Sequence, residues 1–123
     1  MPLYREEIID RWRYPRHRGV MPSPDAQGER VNSFCGDEIT LFLRLDEEKK
    51  SVAEARFTGE GCAFMSASAD MLCEVIQGKA MAEVKRFSVD DLLLLYGEPP
   101  TPGRLPCVFL AHEALEQALA VLF

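Results

Sequence analysis

Three cysteines and one aspartate lie where predicted loops meet strands or helices: Cys35, Asp37, Cys62 and Cys107. Thiolates at such junctions are exposed enough to react and are held firmly enough to converge. Three thiolates and one carboxylate form a tetrahedral donor set for a thiophilic metal ion. Because only Gly36 separates Cys35 from Asp37, both can reach one ion only if the backbone bends tightly there. A fold that forms this site must join three segments that are distant in sequence.

Alternating side chains predict an antiparallel sheet. Between Ile39 and Leu45 every second residue is isoleucine or leucine, which indicates a strand with one core-facing side. After a charged turn at 46–50, residues 53–57 alternate again and predict a second, antiparallel strand. Residues 29–34 predict a short third strand.

Helical periodicity predicts helices over residues 3–14, 63–77, 80–86, 89–96 and 106–122. Ser88 followed by Asp91 predicts an N-terminal cap for the fourth of these helices. Between the first helix and the sheet, residues 15–31 contain enough proline and glycine to predict a long irregular connection. Together these elements predict an α+β fold: a small antiparallel sheet of two to three strands packed by about four to five α-helices, in a single domain over residues 1–123.

Composition indicates a globular cytoplasmic protein. The 123-residue chain is 47% apolar and 28% charged, and its net charge of −6 argues against nucleic acid as a main partner. No apolar run is expected to be long enough to span a bilayer, and the first residues lack the apolar core of a signal peptide. We therefore expect no membrane partner. In a reducing compartment, four cysteines favour metal or thiol chemistry over disulfides.

The individual cysteines and histidines carry different expectations. Cys62 and Cys107 precede or open helices, where backbone N–H groups favour negative charge, so both are expected to ionise more readily than free cysteine. The alternative is that they are scattered, satisfied thiols. Cys73 lies in the middle of a helix and is expected in the core. His17 and His112 are isolated, and we expect surface or hydrogen-bonded residues there rather than ligands.

Arginines are concentrated near the N-terminus, at Arg11, Arg13, Arg16 and Arg18. Two interpretations have equal weight. The run is either a solvated helix end or a docking surface for a partner, and the negative net charge of the chain does not exclude a local basic patch.

The cysteine-containing segments resemble those of the IscU/SufU family of iron–sulfur cluster assembly proteins, which includes the N-terminal domain of NifU. The resemblance covers nearly the whole chain and rests on residues 3–5, 14–19, 32–37, 59–63, 66–69, 77–79, 104–107 and 110–116. Tyr14 and His17 stand where the family pattern has asparagine. The ends of the chain are closer to the SufU branch, but the insertion of that branch between the second and third cysteines is missing.

The resemblance implies a fold, a ligand set and partners. Family members hold a nascent cluster, or a zinc ion, on three cysteines and an aspartate, which correspond here to Cys35, Asp37, Cys62 and Cys107. In the IscU branch a histidine before the last cysteine can also take part, but this chain has Pro106, which cannot ligate. The implied cofactors are a zinc ion in the resting protein and a transient 2Fe–2S or 4Fe–4S cluster. The implied partners are a SufS/IscS-like cysteine desulfurase and acceptor apo-proteins.

Three functions are compatible with these residues. The first is an iron–sulfur cluster assembly scaffold, which has no catalytic residue and on which Asp37 is the weakly held ligand. The second is a zinc-dependent sulfurtransferase, in which Cys35 accepts sulfur from the desulfurase without building a cluster. The third is a structural zinc module, which is least expected because such sites are usually closed by cysteine and histidine.

Overall fold

The computed structural model describes residues 5–32, 36–96 and 100–122. In these residues three strands form one antiparallel sheet in the order β1–β2–β3, with β1 at Ala26–Asn32, β2 at Asp37–Leu45 and β3 at Val52–Glu60. The strand expected at 29–34 begins earlier, at Ala26, and residues 33 and 34 lie outside the described residues.

Five α-helices occur in the described part of the chain: α1 at Arg5–Arg13, α2 at Ala63–Ile76, α3 at Met81–Arg86, α4 at Val89–Leu93 and α5 at Leu105–Leu122, with a 3-10 turn at Pro102–Arg104 before α5. The predicted α+β fold is therefore confirmed. Ser88 caps α4 as expected, because its hydroxyl accepts from the Asp91 N–H (3.2 Å) while the Asp91 carboxylate accepts from the Ser88 N–H (2.9 Å). α4 is shorter than predicted, since it ends at Leu93.

The inner face of the sheet forms the main core. Ile39, Leu41 and Leu43 are buried, as their alternation predicts, and they share one cluster with Leu72 of α2 and Leu115 of α5. α5 packs against β1, β2 and α2. Each fully buried leucine contributes about 1.5–3 kcal/mol to this packing. The core therefore holds the starts of α2 and α5 near the same end of the sheet.

α2 also buries its opposite side. A second cluster joins Ala67 and Met71 of α2 to Ile8 of α1, to Tyr96 beyond α4 and to Val108 of α5. α2 is consequently enclosed between the sheet on one side and α1, α4 and the first turn of α5 on the other.

The connection between α1 and β1 is more regular than its composition predicts. Residues 17–19 run parallel to β3: the Phe57 N–H donates to the His17 carbonyl (3.0 Å), and the Gly19 N–H donates to the Phe57 carbonyl (2.8 Å). Proline and glycine content could not reveal this pairing, because the partner strand lies far along the sequence.

Arg11 does not belong to the exposed arginine run. It is 3% exposed, and its guanidinium bonds to Asp70 of α2 at 2.6 Å and to Glu74 at 3.0 Å. The other oxygen of Asp70 accepts from the His17 N–H (2.8 Å). Both interpretations of the run are therefore wrong for Arg11, whose ion pairs join α1 to α2. Arg13, Arg16 and Arg18 are exposed.

One helix departs from the expectation that no apolar run could span a bilayer. The segment Pro102–Leu122, which includes α5, is long enough and apolar enough to do so by length and composition alone. α5 owes this composition to its position, because it packs against the sheet and α2, and Val108, Ala111 and Leu115 are buried in the two clusters.

Candidate metal centre

Three of the four predicted site residues meet at one end of the sheet. The ligand atoms of Asp37, Cys62 and Cys107 all lie within 4.8 Å of one another. Asp37 and Cys107 are buried, and Cys62 is half-buried. The fourth residue, Cys35, lies outside the described residues. Three residues that are far apart in sequence are thus brought together, and their role as metal ligands stays a prediction.

Asp37 owes its position to the alternation of β2. It is the first residue of that strand and lies on the same face as Ile39 and Leu41, so its side chain is directed to the core and is 3% exposed. Gly36, immediately before it, has a φ of +70° and lies in a turn. The tight bend that we predicted at Gly36 is therefore present.

Cys62 is placed by the start of α2. It is the N-cap residue of this helix, and its side chain makes no capping hydrogen bond, so the sulfur is not used by the helix. The preceding Gly61 allows close approach of the carboxylate, because a Cβ there would lie 2.9 Å from Asp37 Cγ and 2.7 Å from Met65 Cε. The chain passes between Asp37 and Met65 with no room for a side chain.

The donor set fits a thiophilic divalent ion. Asp37 Oδ2 is buried and has no hydrogen-bond partner among the described residues. An unsatisfied buried polar atom lowers the stability of the folded protein by about 1–3 kcal/mol, and by more when it is charged. A cation bound at Asp37 Oδ2 would remove this cost. Two thiolates bound to zinc at about 2.3 Å each are about 3.8 Å apart in a tetrahedral site, which is compatible with a cluster of donors within 4.8 Å.

The thiol of Cys107 does not ionise readily, contrary to our expectation. Burial raises the pKa of Cys107 well above the usual range, and the neighbouring Cys62 and Asp37 side chains raise it further. A helix N-terminus contributes only about 0.3–1 kcal/mol, which does not offset the desolvation of a buried thiolate. A bound divalent cation reverses this balance because it stabilises the thiolate.

Tyr96 lies against the starts of both ligand-bearing helices, and sequence analysis did not identify it. Its hydroxyl forms a short hydrogen bond with Ser68 Oγ, and its ring stacks on Phe64 with the centroids 6.3 Å apart. Burial raises the pKa of Tyr96 to about 12; the Ser68 bond lowers it, and the charges of Cys62 and Cys107 raise it. Only its position after α4, at the end of the predicted helix 89–96, could have indicated an inward-facing tyrosine.

The remaining cysteine is buried in the core, and each histidine forms a hydrogen bond with a backbone carbonyl. Cys73 is fully buried, and burial together with the charge of Asp70 raises its pKa, which confirms its expected place in the core. His112 is buried and donates through Nε2 to the Phe87 carbonyl (2.8 Å). His17 is half-buried and donates through Nδ1 to the Ala55 carbonyl (3.3 Å). Both histidines are hydrogen-bonded, as expected.

The chain is similar to known proteins over almost its full length. It matches the family of NifU-like N-terminal domains over residues 3–122. It is 34% identical to the zinc-dependent sulfurtransferase SufU of Bacillus subtilis, over 96% of this chain and 90% of that protein. It is 28% identical to the iron–sulfur cluster assembly scaffold protein IscU of Aquifex aeolicus, over 94% of this chain and 73% of that protein.

A solved structure has the same fold. The crystal structure of a proposed iron–sulfur cluster assembly scaffold protein of the SUF system from Fervidobacterium islandicum aligns with a TM-score of 0.78 and 27% identity. The alignment covers 94% of this chain and 96% of that one. The resemblance that the cysteine-containing segments indicate is thereby confirmed.

Proposed function

The chain belongs to the family of NifU-like N-terminal domains, and on that premise we propose that it is an iron–sulfur cluster assembly scaffold of the cytoplasm. It accepts sulfur from a cysteine desulfurase, assembles a labile cluster on Cys35, Asp37, Cys62 and Cys107, and transfers that cluster to acceptor apo-proteins. The observation that carries the proposal is the grouping of Asp37, Cys62 and Cys107 within 4.8 Å, with one carboxylate oxygen buried and unpartnered.

The mixed donor set supports release as well as binding. Thiolates hold iron and zinc firmly, whereas a carboxylate is a harder ligand and a weaker partner for these soft sites. Asp37 is therefore the ligand that we expect to exchange first. Cys62 is half-buried while Cys107 is buried, so among the described ligands Cys62 is the sulfur that an acceptor reaches more easily.

In the resting protein the same residues are proposed to hold zinc, with sulfur and oxygen ligation only. Pro106 precedes Cys107 and offers no ligand. His17 and His112 each bond a backbone carbonyl on another element, at Ala55 and Phe87. X-ray absorption of the zinc-bound protein tests this ligation, and a metal–imidazole bond would contradict it.

The second candidate is a zinc-dependent sulfurtransferase, the function named for the B. subtilis SufU relative. In this function the Cys35 thiolate attacks the outer sulfur of the desulfurase persulfide. The new S–S bond forms on Cys35 as the old one breaks, and the desulfurase cysteine leaves as a thiolate. The observation that favours this candidate is the exposed turn at Gly36, where an added Cβ would meet no atom of the described residues within 4 Å.

One experiment separates the two candidates. The protein is incubated anaerobically with ferrous iron, cysteine and a cysteine desulfurase, and is then mixed with an apo-ferredoxin. A scaffold forms a visible cluster and transfers it intact, so ferredoxin absorbance appears at the rate at which the scaffold loses its own. A sulfurtransferase stimulates the desulfurase in the presence of zinc and without iron, and forms no transferable cluster.

A further inference from the structure

We propose that Tyr96 is a positioning residue of the metal centre: its hydroxyl, bonded to Ser68, sets how Cys62 and Cys107 face each other. This inference rests on the proposed function, because it concerns the same metal centre. Tyr96 is not itself a ligand. It lies beyond α4 and acts through the helices that carry the two cysteines.

The contacts of Tyr96 join the two helix starts. Its ring stacks on Phe64, two residues after Cys62, with the ring planes inclined by 22°. The ring also shares a buried cluster with Val108, the residue after Cys107. A tilt of the ring would therefore act on Phe64 of α2 and on the cluster that contains Val108 of α5.

The hydroxyl fixes the tilt of the ring. Tyr96 is 6% exposed and Ser68 is fully buried, so neither hydroxyl has ready access to water, and the bond between them satisfies both. A phenylalanine would retain the stacking on Phe64 but would leave Ser68 Oγ without this partner, so no hydrogen bond would hold the ring at its present tilt.

Tyr96→Phe tests the role of the hydroxyl, with Tyr14→Phe as the matched control because Tyr14 is 70% exposed. The readouts are zinc affinity, measured by competition with a chromophoric chelator, and the absorption spectrum of the cobalt-substituted protein. We expect Tyr96→Phe to lower zinc affinity by about tenfold, the effect of one buried hydrogen bond. We also expect it to shift the thiolate-to-cobalt and ligand-field bands, whereas Tyr14→Phe changes neither.

The cobalt spectrum separates positioning from mere stability. A purely structural role of Tyr96 lowers the free energy of unfolding of the metal-free protein but leaves the spectrum of the folded, cobalt-saturated protein unchanged. An unchanged spectrum in Tyr96→Phe, with cobalt bound by the wild type, overturns the inference alone. A wild-type protein that binds neither zinc nor cobalt overturns the proposed function and this inference with it.

Ser68→Ala removes the same hydrogen bond from the other side and serves where Tyr96→Phe does not fold. We expect it to shift the cobalt bands in the same direction. We expect the double variant to shift them no further, because both substitutions break one bond. Unshifted bands in Ser68→Ala, or additive shifts in the double variant, overturn the inference.

Discussion

Two buried carboxylates in this protein have opposite surroundings. Asp70, fully buried in α2, has both oxygens engaged: one accepts from Arg11 at 2.6 Å and the other from the His17 N–H at 2.8 Å. Asp37, 3% exposed at the start of β2, has one oxygen with no hydrogen-bond partner among the described residues and two thiols close by. A buried carboxylate that the protein fully satisfies contributes to structure, whereas one left unsatisfied is available to a metal.

Substitution of the cysteines near these two carboxylates should produce the largest difference between the two regions, in the amount of zinc bound. We expect the protein isolated from cells to carry about one zinc per chain, as a closed tetrahedral donor set does. Cys35→Ser, Cys62→Ser and Cys107→Ser should each lose that zinc, because a hydroxyl is a poor substitute for a thiolate. Elemental analysis against protein concentration measures it.

Cys73→Ser is the control for this prediction, since Cys73 is fully buried beside Asp70 rather than Asp37. It should retain its zinc. Loss of zinc in this variant, or its retention in the other three, would contradict the assignment of the ligands.

Asp70→Asn should cause the next largest effect, on stability. The substitution leaves the Arg11 guanidinium buried without a full counter-charge, and removing one partner of such a pair costs about 3–5 kcal/mol. Denaturant unfolding of chelator-treated protein measures the free energy of unfolding. Glu74→Gln is the matched control: Glu74 bonds the same guanidinium but its side chain is 46% exposed, so the loss should stay below about 1 kcal/mol. Equal decreases in the free energy of unfolding of the two variants would contradict the prediction that the buried ion pair contributes more than the exposed one.

Asp37→Ala should behave in the opposite way. Because the carboxylate is buried and incompletely partnered, its removal should raise the free energy of unfolding of the metal-free protein, by about 1–3 kcal/mol. Cluster release should slow, since the most easily exchanged ligand is gone. Stopped-flow transfer to apo-ferredoxin measures the rate. A variant that transfers as fast as the wild type would show that Asp37 does not govern release.

The smallest effect is a pH dependence that both regions share. The pKa of Cys107 and that of Cys73 are raised in the folded protein, so the folded state keeps protons that the unfolded chain releases above about pH 8.5. Their contribution to stability is complete below that pH and is lost as the pH rises. The slope is at most about 1.4 kcal/mol per pH unit for each thiol.

Chemical denaturation of the metal-free protein between pH 7 and 10 tests this slope. Cys73→Ala and Cys107→Ala should each flatten it. In the zinc-bound protein the Cys107 contribution should disappear, because metal binding displaces the proton. A slope that neither substitution changes would assign the pH dependence to other groups.

Local patterns in the sequence predicted the elements, and long-range contacts account for what they missed. Alternation at Ile39–Leu45 identified β2 and its core face, and the Ser88–Asp91 pair identified the cap of α4. The Arg11–Asp70 pair joins residues 59 positions apart, so no local pattern indicates it. The pKa of Cys107 was misjudged for a similar reason, since burial beside Asp37 and Cys62 is decided by packing and not by helix position.

Family motifs predicted the proposed ligands, but no motif indicated the residues around them. The resemblance of residues 32–37, 59–63 and 104–107 to family motifs named the four expected ligands, of which the structure brings Asp37, Cys62 and Cys107 together. Tyr96 carried no such motif. Its burial depends on packing against Phe64 of α2, which no local pattern indicates.

Because Gly61 has no side chain, adding a single methyl group there is expected to change the mixture of carboxylate and thiolate ligands at the proposed site. In Gly61→Ala, the added carbon would stand 2.7 Å from Met65 Cε and 2.9 Å from Asp37 Cγ, closer than real Cβ contacts, so we expect both side chains to shift and the carboxylate to leave the donor set. Three thiolates would remain, a set that favours softer ions. We expect Gly61→Ala to shift the measured preference from zinc towards cadmium while the fold persists. An unchanged preference would mean that the carboxylate finds another path to the ion. We thus expect the metal preference of the proposed site to depend on a backbone position that contributes no ligand.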